Sequence, residues 1–156
     1  IQNNEPILGV VYAPTLSMLY FAQKKIGSHK ICCSNILSSL DASVRLNVNI
    51  KNKTDLITII GSRSHSNEKF KTWINENFYH YNIIQKGSSL KLCDIAEGFA
   101  DIYPRFGPTS EWDIAAGQII LEEAGGNIVN FNNENLTYNS KESLLNPEFI
   151  ASCKIT

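Results

Sequence analysis

Apolar and polar positions alternate in two different rhythms along the 156 residues, and the change of rhythm marks out the elements. PILGVVYAP (6–14) and SMLYFAQ (17–23) are short β-branched or aromatic runs parted by Pro14, Thr15 and Leu16, a pattern that predicts a hairpin. LNVNIK (46–51) alternates like a half-buried strand, whereas DLITIIGS (55–62) is continuously apolar, like a strand covered on both faces. Phe70, Trp73, Ile74 and Phe78 then recur at helical spacing, and YNIIQKG (81–87) returns to strand. LKLCDIAEG (90–98) predicts a helix closed by Gly98, FADIYP (99–104) a strand, and WDIAAGQIILEEA (112–124) a second long helix. NIVNF and EFIASC are short strands near the end. Strand and helix alternate from residue 55 onward, so the expected class is α/β, a layered sheet with flanking helices in one domain spanning 1–156.

Composition narrows the functions open to such a domain. Hydrophobic residues make up 43% and charged residues 19%, enough apolar content for an ordinary core. The net charge of −1 lacks the basic excess that nucleic acid or a membrane surface demands, so no nucleic-acid partner is expected and the ligand is small. No run reaches the roughly 18 apolar residues of a membrane span. Cys32, Cys33, Cys93 and Cys153 form neither a C-x-x-C pair nor a disulfide framework, which points to a reducing cytoplasm. The Asn-rich stretch 130–139 is a loop by composition and carries no assigned chemistry. The chain opens on Ile1 with a strand close behind, which suggests a part lying upstream.

Three stretches hold candidate chemistry. In GSSLK (87–91), Gly87 lets backbone approach a ligand, Ser88 and Ser89 offer hydroxyls, and Lys91 offers countercharge at a helix start, an arrangement suited to phosphate. The same residues also fit a serine helix cap beside a solvent-exposed lysine. In SRSH (62–65), Ser62, Arg63 and His65 leave the end of the buried strand, where ligands of open α/β sheets collect, although a plain turn capped by Ser64 or Ser66 fits as well. Ser110 and Asp113 match a capping box, with the acid over a helix N-terminus and Trp112 as a core anchor. Against that structural role stands the PRFGPT loop (104–109), whose Arg105 and prolines make a rigid, positive rim at the same helix end.

WDIAAGQIILEEAGG closely resembles the C-terminal signature of the inositol-monophosphatase superfamily, magnesium-dependent phosphatases in which the aspartate of the WD pair is a metal ligand. SRSH, GSSLK, AEG, YPRFGPT and ESLLNPEF resemble one branch in particular, the 3′(2′),5′-bisphosphate nucleotidases, which convert 3′-phosphoadenosine 5′-phosphate to AMP and phosphate. The resemblance runs nearly end to end and implies the C-terminal portion of the inositol-monophosphatase, or sugar phosphatase, fold. It makes Asp113 a ligand of Mg²⁺ and brings Ser62, His65, Gly87 and Lys91 to the nucleotide, with Ser88, Ser89 and Arg105 as further contacts. Arginine at 105 replaces a carboxylate usual in inositol phosphatases and suits a substrate with a second phosphate. The family's D-P-x-D-G-T motif is not found in these residues, so the remaining metal ligands and the catalytic groups are expected from an N-terminal half, and this chain alone is expected to be inactive. An inositol phosphatase and a non-catalytic phosphate-binding remnant are the two alternatives. Surface left bare without that half suggests a homodimer. Asp101 is expected to serve hydrogen bonding, and Asp94, Glu97, Glu122 and Glu123 to lie on helix surfaces.

Overall fold

A computed structural model describes residues 1–33, 42–62 and 68–156, the side chain of Ser62 excepted. The hairpin forms where expected: β1 (Leu8–Ala13) and β2 (Met18–Gln23) pair antiparallel across a short 3-10 turn at Pro14–Leu16. β3 (Gly27–Cys32) and β4 (Val44–Arg45) extend them into a four-stranded antiparallel sheet. A five-stranded sheet runs in the order β7-β6-β8-β10-β9, from β6 (Ile57–Ser62), β7 (Tyr81–Lys86), β8 (Ile102–Arg105), β9 (Asn127–Asn130) and β10 (Phe149–Ser152). Two residues, Ile50–Lys51 (β5), pair in parallel with Lys154–Ile155 (β11).

Helix α1 (Glu68–Asn77) covers one face of the five-stranded sheet, and helices α2 (Leu90–Ala96) and α3 (Glu111–Glu123) fill the space between its other face and the four-stranded sheet. Alternation along β6 divides the core accordingly. Ile57 and Ile59 pack with Phe70, Ile74 and Phe78 on the α1 side, while Ile60 joins Leu92, Ile95, Ile120 and Leu121 on the other. The helices approach closely because small residues meet there. A Cβ on Gly117 would lie 2.7 Å from Leu92 Cδ1, and one on Gly9 would lie 2.5 Å from the Ala116 carbonyl oxygen.

Two expectations need correction. LNVNIK starts as expected, Leu46 inside and Asn47 outside, but the alternation fails at Ile50, which is 75% exposed, and only the last two residues are strand. The amides of Leu46 and Val48 donate to the carbonyls of Ser28 and Ala124, so the segment is tied to two separate elements instead of a ladder. The helical acids are not all superficial either. Asp94 is 3% exposed and bonded to Lys86, and Glu97 accepts hydrogen bonds from both Tyr20 Oη and Lys30 Nζ. Asp101 behaves as expected: wholly buried, it accepts the Thr58 amide and the Asn49 side-chain amide, each at 2.8 Å.

Candidate functional site

The topology of the five-stranded sheet assembles the site. β7 and β8 both run parallel to β6, so all three strands end at one edge. Ser62 pairs with Lys86 in the ladder, and β8 ends on Arg105, three residues past its Ile102–Ile59 pairing. SRSH and GSSLK therefore leave neighbouring strand ends, as the sequence suggests; the side chain of Ser62 and all of Arg63 and His65 lie outside the described residues.

At that edge a cleft of about 440 Å³ opens between the β7–α2 turn, the end of β8 and the start of α3. Ser88, Ser89, Lys91, Arg105 and Asp113, five of the residues singled out from sequence, line it, and Gly87 adjoins it in the backbone. Tyr103, Thr109 and Trp112 also line it. Tyr103 was legible in principle, because it lies two residues before Arg105 on a strand and so shares its face.

Lys91 does not wave in solvent. It is 6% exposed, its Nζ donates to the Ser88 carbonyl at 2.8 Å, and the ammonium sits 4.9 Å from the centroid of the Tyr103 ring. Burial, and then the Arg105 guanidinium, draw its pKa from 10.5 down to about 8, while Asp94 pulls the other way. Burial raises the Tyr103 phenol above its usual value. Arg105 is fixed by its own loop, Nε donating to the Gly107 carbonyl at 3.1 Å and one terminal nitrogen to that of Pro108 at 2.9 Å. Two cations thus face one hollow from separate elements.

The serines act through shape more than through capping. Ser89 occupies the N-cap position of α2 in a helical conformation and makes no capping bond, while Ser88 adopts a left-handed φ of 62°. The Ser88 Oγ accepts only a long contact, 3.4 Å, from the Leu90 amide. With seven residues, α2 is short, so positive charge at this turn comes chiefly from Lys91.

Asp113 holds both of its expected roles open. Its Oδ2 accepts the Ser110 amide at 2.8 Å, one arm of the capping box, and Oδ1 has no hydrogen bond among the described residues. Trp112 is no core anchor: it is 69% exposed at the mouth of the cleft. No group of three His, Cys, Asp or Glu among the described residues stands close enough to hold a metal ion. Mg²⁺ takes near-octahedral oxygen ligation but is often held by one or two carboxylates plus phosphate and water, so Asp113 suits a single share in a site whose other ligands come from elsewhere.

The start of α3 is strapped by the segment 139–146. Glu111, 4% exposed, accepts the Asn139 amide at 2.9 Å and is bonded by Lys141 Nζ; Asn146 donates to Thr109 Oγ1 and to the Ser110 carbonyl.

The model of the inositol monophosphatase family matches residues 1–153. Among curated proteins, the 3′(2′),5′-bisphosphate nucleotidase CysQ of Salmonella typhimurium is 37% identical over 149 residues, covering 96% of this chain and 56% of that protein. CysQ of Buchnera aphidicola subsp. Acyrthosiphon pisum is 39% identical over 161 residues, 97% of this chain and 54% of that protein. The crystal structure of CysQ from Bacteroides thetaiotaomicron matches with a TM-score of 0.83 at 36% identity, over 99% of this chain and 60% of that one. An inositol monophosphatase from Anabaena shares the fold, with a TM-score of 0.71 at 21% identity over 97% of this chain and 57% of that one. The chain spans little more than half the length of the curated relatives it matches.

Proposed function

The chain belongs to the inositol monophosphatase family, and from that premise we propose that its cleft is the substrate side of a 3′(2′),5′-bisphosphate nucleotidase site, acting on 3′-phosphoadenosine 5′-phosphate. One observation carries the reading: Lys91, Arg105 and Asp113, from α2, β8 and α3, line a single cleft. In this reading Lys91 and Arg105 hold the two phosphates, Ser88 and Ser89 offer hydroxyls to their oxygens, and Gly87 keeps the turn low enough for close approach. Asp113 would be one of the residues holding Mg²⁺, which when bound would supply positive charge to the phosphate. The resemblance would add Ser62 and His65 to the nucleotide contacts, and their side chains lie outside the described residues. Water adds to the 3′-phosphorus, the ribose 3′-oxygen leaves with a proton, and AMP and phosphate result.

The other metal ligands and the group that activates the water belong to a segment outside these residues, so this chain by itself releases negligible phosphate. Its place of work is the cytoplasm, a reading supported by the cysteines, which form no disulfide among the described residues and of which Cys93 and Cys153 are buried.

Phosphate release from 3′-phosphoadenosine 5′-phosphate and from inositol 1-phosphate, with and without Mg²⁺, tests the proposal in the protein carrying the complete metal site. The bisphosphate is expected to be the better substrate, and Arg105→Glu to narrow that preference. Equal turnover of both, untouched by Arg105→Glu, would instead favour an inositol phosphatase; binding without turnover would favour the non-catalytic alternative. Mg²⁺-dependent release by this chain alone, abolished in Asp113→Asn, would overturn its inactivity.

A further inference from the structure

Asp94 does not line the cleft, yet it is buried beside it at a cost. Its Oδ1 accepts from Lys86 Nζ at 2.5 Å, while Oδ2 is buried with no hydrogen-bond partner among the described residues. A half-satisfied carboxylate inside a protein destabilises the fold, so its position calls for another explanation. Lys86 is the last residue of β7 and Asp94 the fifth of α2, so their ion pair spans the Gly87–Ser88–Ser89 turn at its base. The bond from Lys91 Nζ to the Ser88 carbonyl spans the same turn at its crest, where Ser88 takes its left-handed φ. The Lys86 ammonium is further steadied 5.1 Å from the centroid of Phe99.

We infer that Asp94 is a positioning residue of the cleft: through Lys86 it ties the turn to α2 and so fixes where Ser88 and the Lys91 ammonium meet an anion. The inference rests on the anion-binding reading of the cleft.

Charges on every neighbouring element bear on this pair. Lys86 on β7, Lys91 on α2 and Glu97 just past its end face Asp94, and Glu97 is held by Tyr20 and Lys30 of the four-stranded sheet. Lys91 feels Arg105 from β8 as a like charge and Asp94 as the opposing one, so Asp94 also favours the protonated lysine.

The test combines heteronuclear NMR titration of the Lys91 side chain with calorimetric binding of 3′-phosphoadenosine 5′-phosphate in wild type, Asp94→Asn, Asp94→Glu and Lys86→Met. Asp94→Asn is expected to lower the Lys91 midpoint below its wild-type value and to weaken binding about tenfold near pH 8, and by less near pH 6, where the lysine is protonated in either protein. Asp94→Glu should restore part of the loss. Lys86→Met, which alters the more exposed partner, should weaken binding at both pH values and move the Ser88 backbone resonances. Unchanged Lys91 titration, Ser88 resonances and affinity in the folded Asp94→Asn and Lys86→Met variants would overturn the role of Asp94 and leave the cleft reading intact. A wild-type protein that binds no bisphosphate would remove the cleft reading, and the positioning of an anion site would fall with it.

Discussion

Asp113 Oδ2 and the Ser110 amide nitrogen lie 2.8 Å apart, so the carboxylate gives one oxygen to the helix it opens and leaves the other free among the described residues. Capping and metal binding make separable demands. Asp113→Asn keeps an oxygen for the Ser110 amide and is expected to change stability by less than about 1 kcal/mol, whereas Asp113→Ala should cost about 1 kcal/mol. Both should abolish Mg²⁺-dependent phosphate release where the metal site is complete. Thermal unfolding and phosphate assay together check this; an Asn variant that retains full activity would reduce Asp113 to a cap.

Lys91 predicts opposite pH trends for binding and for stability. Its pKa falls from 10.5 in the unfolded chain to about 8 in the folded one. The unfolded state therefore binds the extra proton, the penalty is complete below about pH 8, and it fades as the pH climbs toward 10.5. Lys91→Met should be the more stable protein near neutrality and lose that advantage at alkaline pH. Anion affinity in the wild type runs the other way, weakening above about pH 8 as the ammonium discharges. Cys93 and Cys153, pushed up to about 12 chiefly by burial, favour the fold until the pH passes their ordinary value of 9.0, so the comparison must be made against the variant at each pH. Denaturant unfolding at several pH values measures it.

Much of this was legible in the residues, and the failures have a common cause. The hairpin, the buried strand β6 and helix α3 announce themselves because local pattern and packing agree. In α2, Lys91 through Ala96 are all buried, so no polar stripe exists to reveal which side chain faces what. That is why Lys91 looked equally like a solvent-exposed lysine, and why Asp94 looked superficial. Two of their partners, Tyr103 on β8 and Lys86 on β7, come from neighbouring elements that spacing alone does not juxtapose. The exposure of Trp112 has the same origin: a tryptophan at a helix start looks like an anchor until the surrounding elements are in place.

Glu111 predicts an acid-sensitive strap. Its carboxylate is held below the usual value of 4.5, first by Lys141 and then by the Asn139 amide. A depressed carboxylate stabilises the fold at neutral pH, and the contribution is lost as the pH falls below 4.5 through the lower folded value. Glu111→Gln should cost about 1 to 2 kcal/mol at neutral pH and nearly nothing in strong acid. Urea midpoints at the two pH values decide; an equal cost at both would mean that the charge contributes nothing.

The outer face of β1 predicts self-association of the chain by itself. Leu8, Val10 and Tyr12 are 60%, 53% and 50% exposed, on the side opposite Gly9 and Ala13, which turn inward toward α3. Contiguous apolar surface of this kind seeks a cover. Analytical ultracentrifugation should find a concentration-dependent dimer, with Val10→Lys raising its dissociation constant about tenfold or more. A monomer at every concentration would exclude this homodimer.

The left-handed Ser88 carries a lesson for engineering. Glycine would adopt a φ of 62° without the steric penalty that a serine bears there. A search for heat tolerance alone would therefore drift toward Ser88→Gly, hardening the scaffold while deleting a hydroxyl from the wall of the proposed phosphate cleft; robustness and recognition compete at a single Cβ.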